Sequence, residues 1–240
     1  VKSENRARIA RECASTEKNE DGNCRRNSDF SPAQEISTMS SQNRTDSNGG
    51  RRVAPARFAH AVLATKQFRP MVDWYCTVLS AEVVHENGML AFLTYDDEHH
   101  RIAIAALPGL ADKARHSVGL DHLAYTYANL GDLVFTYERL KQAGILPVVT
   151  INHGPTTSMY YRDPDGNKVE LQIDNFDTVE ELNGFFKSEA MAKNPIGVNF
   201  NADELARDFH AGVSEAELKK YHAEKGLDPD TMRRLAGVTQ

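Results

Sequence analysis

In the stretch INHGPTTSMYYRDPDGNKVELQI, residues 151–173, histidine, tyrosine and glutamate recur at a spacing that suits work on a metal-bound substrate. His153 stands seven positions before Tyr160, a DPDG turn follows, and Glu170 then falls between Val169 and Leu171. Period-two alternation in NKVELQI puts Lys168, Glu170 and Gln172 on one strand face and Val169, Leu171 and Ile173 on the other. The plain reading of Glu170 is a solvent-facing carboxylate. The chemical reading is a strand that lines a cavity, where a cation offsets the cost of burying the charge.

Two histidines fit the second reading. His60 in FAH and His122 in LDH hold the same place in two first strands of what reads as an internal repeat. Either alone is most simply a core histidine; the repeat turns the pair into candidate ligands. Two imidazoles and one carboxylate on one side of an ion leave the opposite positions open, as in non-haem Fe(II) oxygenases, with zinc and manganese as alternatives.

The elements that must position these groups follow from periodicity. The first copy runs FAHAVLA (strand), QFRPMVDWYCTVL (helix), AEVVHE, MLAFLTYD and RIAIAAL (strands). The second runs LDHLAYTY, LGDLVFTYERLKQAG, LPVVTI, TSMYYRD and NKVELQI, in the same order. The expected fold is therefore α+β, two βαβββ modules (53–112 and 117–175) forming one metal-centred domain over 53–175. Beyond Asn175, four helical stretches with a Ser214/Glu217 capping box predict a C-terminal extension over 176–240, packed on the module or on a second subunit of a homo-oligomer.

Residues 1–52 hold few large apolar side chains (Val1, Ile9, Phe30, Ile36 and Met39) and are expected to be a disordered tail, with Met39 as a candidate natural start. The tail is mildly basic, with 10 Lys and Arg against 8 Asp and Glu, within a chain of net charge −6. That balance argues against nucleic acid or an anionic membrane and for a small-molecule ligand. No apolar run reaches the roughly 18–20 residues that cross a bilayer and no secretory pattern opens the chain, so the cytoplasm is the expected compartment. Cys13, Cys24 and Cys76 read as ordinary thiols.

The residues from Phe58 to Ile173 resemble the vicinal-oxygen-chelate superfamily and, within it, the type I extradiol ring-cleaving dioxygenases. DPDGNKVEL alone is a superfamily signature; Ile151, His153, Met159, Tyr160, Asp163, Pro164, Gly166 and Glu170 match the ring-cleavage motif in order. The resemblance implies His60, His122 and Glu170 as ligands of Fe(II), with Mn(II) as the alternative metal, and a catechol-type substrate cleaved with O2 to a ring-opened semialdehyde. It implies His100, with His99 as alternative, as the acid and base, His153 as a hydrogen-bonding partner of substrate oxygens, and Tyr160 as the group that orients a substrate oxygen. The fourth-ligand position of glyoxalase-type members falls near Ala103, where RIAIAAL offers no carboxylate. Such enzymes often carry four modules, and this chain shows two, so the helical extension is the candidate for the missing walls.

Two other functions share the scaffold: a metal-dependent glyoxalase-like isomerase or lyase, and a binding protein without turnover. The remaining histidines, His85, His116, His210 and His222, have no ligand spacing. Trp74, Tyr75, Phe135 and Tyr137 are expected in the core, and Phe92, Tyr95, Tyr125 and Tyr127 along the pocket.

Overall fold

The computed structural model describes residues 53–114 and 118–235. The expected disorder of residues 1–52, the Met39 start, Cys13, Cys24 and His116 lie outside the described residues. The chain divides into units Val1–Arg57 and Phe58–Gln240. Of the first unit only residues 53–57 are described, and they hold no helix or strand.

The second unit opens with β1 (Ala61–Thr65), α1 (Phe68–Leu79), β2 (Glu82–Glu86), β3 (Leu90–Thr94) and β4 (Ile102–Ala106). The pattern repeats as β5 (His122–Thr126), α2 (Leu130–Gln142), β6 (Val149–Asn152), β7 (Thr156–Arg162) and β8 (Lys168–Asp174). The strand orders are β1-β4-β3-β2 and β5-β8-β7-β6-β9. In both modules the first strand lies parallel to the last, and the remaining pairs are antiparallel. This is the α+β, twice-repeated βαβββ fold.

Local sequence explains the helices. Met71, Val72, Tyr75, Val78 and Leu79 recur three and four apart on α1 and are all buried. Asn129 caps α2 by accepting from the Asp132 N–H, with Asp132 in the first turn and Arg139 and Lys141 in the last, as the helix dipole favours. Leu130, Leu133, Val134, Tyr137 and Leu140 of α2 join the α1 residues and Leu93, Ile104, Tyr161, Val169 and Leu171 in one core that both modules share. Each fully buried aliphatic or aromatic side chain contributes about 1.5–3 kcal/mol, so the modules stand or fall together. Arg139 of α2 adds a clasp, donating to the Val78 carbonyl of α1 at 3.2 Å.

The extension comprises α3 (Val179–Phe186), α4 (Glu189–Lys193), β9 (Val198–Asn199), α5 (Ala202–His210), α6 (Glu215–Leu218) and α7 (Pro229–Leu235). It is continuous with the modules: Ala202, Leu205 and Ala206 of α5 enter the shared core, and β9 pairs with β6. Among the described residues no helix is long and apolar enough to cross a membrane.

Several expectations need correction. Phe135 is 67% exposed, because it follows Val134 on the outer side of α2. Ser214 accepts from the Glu217 N–H, but the Glu217 carboxylate turns to Lys220; the complete capping box is Thr178 with Glu181. Tyr125 and Tyr127 pack against the core, since they alternate with His122, Ala124 and Thr126 on β5 and its continuation. His60 precedes β1 by one residue, and no strand was expected at Val198–Asn199.

Candidate active site

The parallel pairing of β5 with β8 sets Ala124 opposite Glu170 and His122 opposite Lys168. The antiparallel β7 sets Tyr160 opposite Glu170 on its other side. Val169, Leu171 and Ile173 point into the core, which turns Glu170 to the opposite face. It is nevertheless only 4% exposed. A carboxylate so enclosed must be partnered.

His122 Nε2 lies 2.9 Å from Glu170 Oε2. Burial pushes the Glu170 carboxyl up, but hydrogen bonds from His122, Ser158 and Tyr160 more than offset it, leaving its pKa below the ordinary value. The His122 pKa is raised, chiefly by the hydrogen bond to Glu170 and then, against partial burial, by that to Asp121. Asp121 Oδ2 stands 2.7 Å from His122 Nδ1 and 2.8 Å from Lys168 Nζ. Asp121 is thus held down first by His122 and then by Lys168. A carboxylate behind Nδ1 is the usual device for aiming Nε2 of a metal-ligating histidine.

These donors suit a divalent cation. Two ligands bound at about 2.1 Å and at right angles stand about 3 Å apart, the separation of His122 Nε2 and Glu170 Oε2. Imidazole with carboxylate suits iron, manganese or zinc.

Next to the pair, the Tyr160 hydroxyl lies 2.9 Å from His153 Nε2, and the Tyr160 ring meets the His122 ring edge-on at 5.6 Å. Burial, followed by the charge of Glu170, raises the Tyr160 pKa, so the phenol keeps its proton at neutral pH. Behind this pair, His153 Nδ1 meets the carbonyl of Ile196. His122, Glu170, Tyr160 and His153 therefore form one connected group.

His60 and His100 form a second one. The His100 ring lies 4.4 Å from the His60 ring and stacks on Phe92 at 4.4 Å, with His99 4.4 Å away on a further side. Partial burial, then His60 and His99, lowers the His100 pKa. Among the described residues no group of three or more His, Cys, Asp or Glu side chains is placed to hold a metal ion. The structure thus joins His122 to Glu170 and His60 to His100, and does not assemble all three expected ligands in one cluster. The physical reason lies in His60 itself: it sits ahead of β1, exposed, with its ring on His100.

His85 is on the edge strand β2 opposite Phe92, His210 bonds Glu138 at 2.9 Å, and His222 bonds Glu224 at 3.2 Å. Sequence reasoning missed Asp121, Ser158 and Lys168. The signal for Asp121 was its place directly before His122; Ser158 and Lys168 share the strand face of Glu170.

Residues 57–171 match the family model of the Glyoxalase/Bleomycin resistance protein/Dioxygenase superfamily. The chain is 49% identical to biphenyl-2,3-diol 1,2-dioxygenase 2 of Rhodococcus globerulus over 187 residues, 78% of this chain and 98% of that one. It is 50% identical to biphenyl-2,3-diol 1,2-dioxygenase 3 of the same organism over 164 residues, 68% of this chain and 86% of that one. Catechol-2,3-dioxygenase of Bacillus subtilis (strain 168) is 28% identical over 119 residues, 48% of this chain and 40% of that one. Residues 1–175 are too few to contain the 187-residue match, so that likeness runs beyond Asn175 into the helical extension.

Proposed function

We infer, for a chain that belongs to the Glyoxalase/Bleomycin resistance protein/Dioxygenase superfamily and is an extradiol ring-cleaving dioxygenase, that its substrate is a catechol-type diol. The diol is opened with O2, both oxygen atoms entering a semialdehyde product, in the presence of Fe(II), with Mn(II) as the alternative. The observation that carries this reading is the 2.9 Å approach of His122 Nε2 to Glu170 Oε2, with the Tyr160 hydroxyl beside it.

His122 and Glu170 supply two ligands, and the third is His60, whose ring must turn from His100 toward them. Bound there, the metal would supply Lewis acidity and an electron path between diol and dioxygen. The protein's own groups do the rest. Asp121 and Lys168 hold His122 in register with Glu170. His100, stacked on Phe92, takes a hydroxyl proton from the diol and returns it to the opened product. Tyr160 orients a substrate oxygen, and His153 backs it through Nε2. Such preorganised groups each contribute about 3–4 kcal/mol to lowering a barrier.

Protein loaded with Fe(II) under anaerobic conditions and then given a catechol with O2 should consume one O2 per diol and form a yellow product. Glu170→Ala should lose both iron retention and turnover. Turnover without O2 uptake would move the assignment to an isomerase or lyase. Diol binding without turnover, with every metal tried, would make it a binding protein.

A further inference from the structure

The two side chains that flank the His122–Glu170 pair ride on one hairpin, β6–β7, and the helical extension grips that hairpin at several points. Asn152 Nδ2 donates to the Lys219 carbonyl at 2.9 Å, and Ile151 pairs with Asn199 of β9. Leu227 packs on the apolar cluster of Val149, Ile151 and Tyr160. A further contact lands on a reacting ring, where His153 Nδ1 meets the Ile196 carbonyl. A carbonyl can only accept, so Nδ1 is the donor. The other nitrogen, Nε2, faces the Tyr160 hydroxyl at 2.9 Å, whose single proton the Glu170 carboxylate also accepts.

Gly197 explains how the carbonyl reaches the ring. Its φ is +134°, and a Cβ there would stand 2.4 Å from Ile151 Cγ2 and 2.7 Å from the Asn152 carbonyl oxygen. Only glycine lets the extension lie this close to β6. Asn194 shapes the turn: its Oδ1 accepts from the N–H groups of Ile196 at 3.2 Å and Gly197 at 3.0 Å, while Nδ2 donates to the Gly197 carbonyl at 2.8 Å.

We propose that the Asn194–Gly197 turn is a positioning element of the active site: its Ile196 carbonyl accepts from the Nδ1–H of His153 and holds that ring with Nε2 facing the Tyr160 hydroxyl. The proposal rests on the reading of His153 and Tyr160 as catalytic groups.

The test uses full-length protein labelled with 15N and loaded with diamagnetic Zn(II), in which long-range ring spectra report the tautomer of His153. Wild type should carry the proton on Nδ1. Gly197→Ala, which pushes the turn away, and Asn194→Ala, which loosens it without adding bulk, should mix the tautomers. Both should lower kcat of the iron enzyme by about 100-fold, the cost of a group displaced by an ångström, with Fe(II) retention unchanged. A wild-type ring protonated on Nε2, or tautomer and kcat unchanged in both variants, would overturn the proposal. Normal turnover by His153→Ala, with the wild-type ring still protonated on Nδ1, would instead remove the catalytic reading beneath it.

Discussion

Tyr75 of α1 places its hydroxyl 3.1 Å from Oδ2 of Asp163, in the turn that leads into β8, so a fully buried phenol of one module supports the loop that presents Glu170 in the other. Asp163 itself shapes that loop, accepting from the N–H groups of Asp165 at 3.0 Å and Asn167 at 2.8 Å. Tyr75→Phe should therefore cost about 1–3 kcal/mol, the net worth of one hydrogen bond to a carboxyl, since Asn167 Nδ2 at 2.7 Å still donates to the same oxygen. A urea melt of the metal-free protein measures it, and an unchanged midpoint would show that the bond does not support the loop.

Tyr160→Phe should retain iron and lose about 10²–10³-fold in kcat, and His153→Ala should act in the same sense. Because the two side chains share one hydrogen bond, the double variant should be little worse than the poorer single one. Full additivity in steady-state kinetics would mean that they work separately.

Gly154 has φ +91°, and a Cβ on it would fall 2.1 Å from Cζ of Phe185. Gly154→Ala should cost roughly 1–3 kcal/mol from crowding alone, with backbone strain in addition. Phe185→Ala in the same chain should recover the crowding part in a thermal melt; no recovery would place the cost in the backbone.

Acid should loosen the grip of α5. Lys141 first, and the Tyr137 hydroxyl second, hold Asp203 below the ordinary carboxylate pKa. A depressed folded pKa means that the stability is present above the unfolded value of about 3.9 and is lost as pH falls through the folded one. Asp203→Asn should flatten the acid limb of the stability profile, and high salt should weaken the wild-type effect, since the carboxylate is exposed. Profiles that superimpose would show that Asp203 contributes nothing.

The sequence was most legible where one period dominated. The alternation of Lys168 to Ile173 foretold both the buried face and the face that holds Glu170, and three-four spacing foretold α1 and most of α2. It was least legible where the outcome depended on distant chain. Thr178 with Glu181 and Ser214 with Glu217 carry the same cap pattern, yet Lys220 draws Glu217 away. The two residues of β9 have no periodicity to detect, and become a strand only because β6 is there. His60 and His122 look alike in the repeat, but β5 begins at His122 and anchors it beside β8, whereas His60 precedes β1 and is free to lie on His100.

The pairing of Ile151 with Asn199 and of Asn152 with Val198 has a bearing on solubility. An open sheet border offers unsatisfied amides to any passing extended segment. At the far side of the first sheet, β2 deters such adhesion with Glu82, Glu86 and a register shift between Val83 and His85. β6 has no charged residue in VTIN to do the same. Its protection is borrowed from β9, so a chain cut before Val198 would carry a sticky rim, and its losses would appear as fibrous or amorphous deposits before they appeared as impaired chemistry.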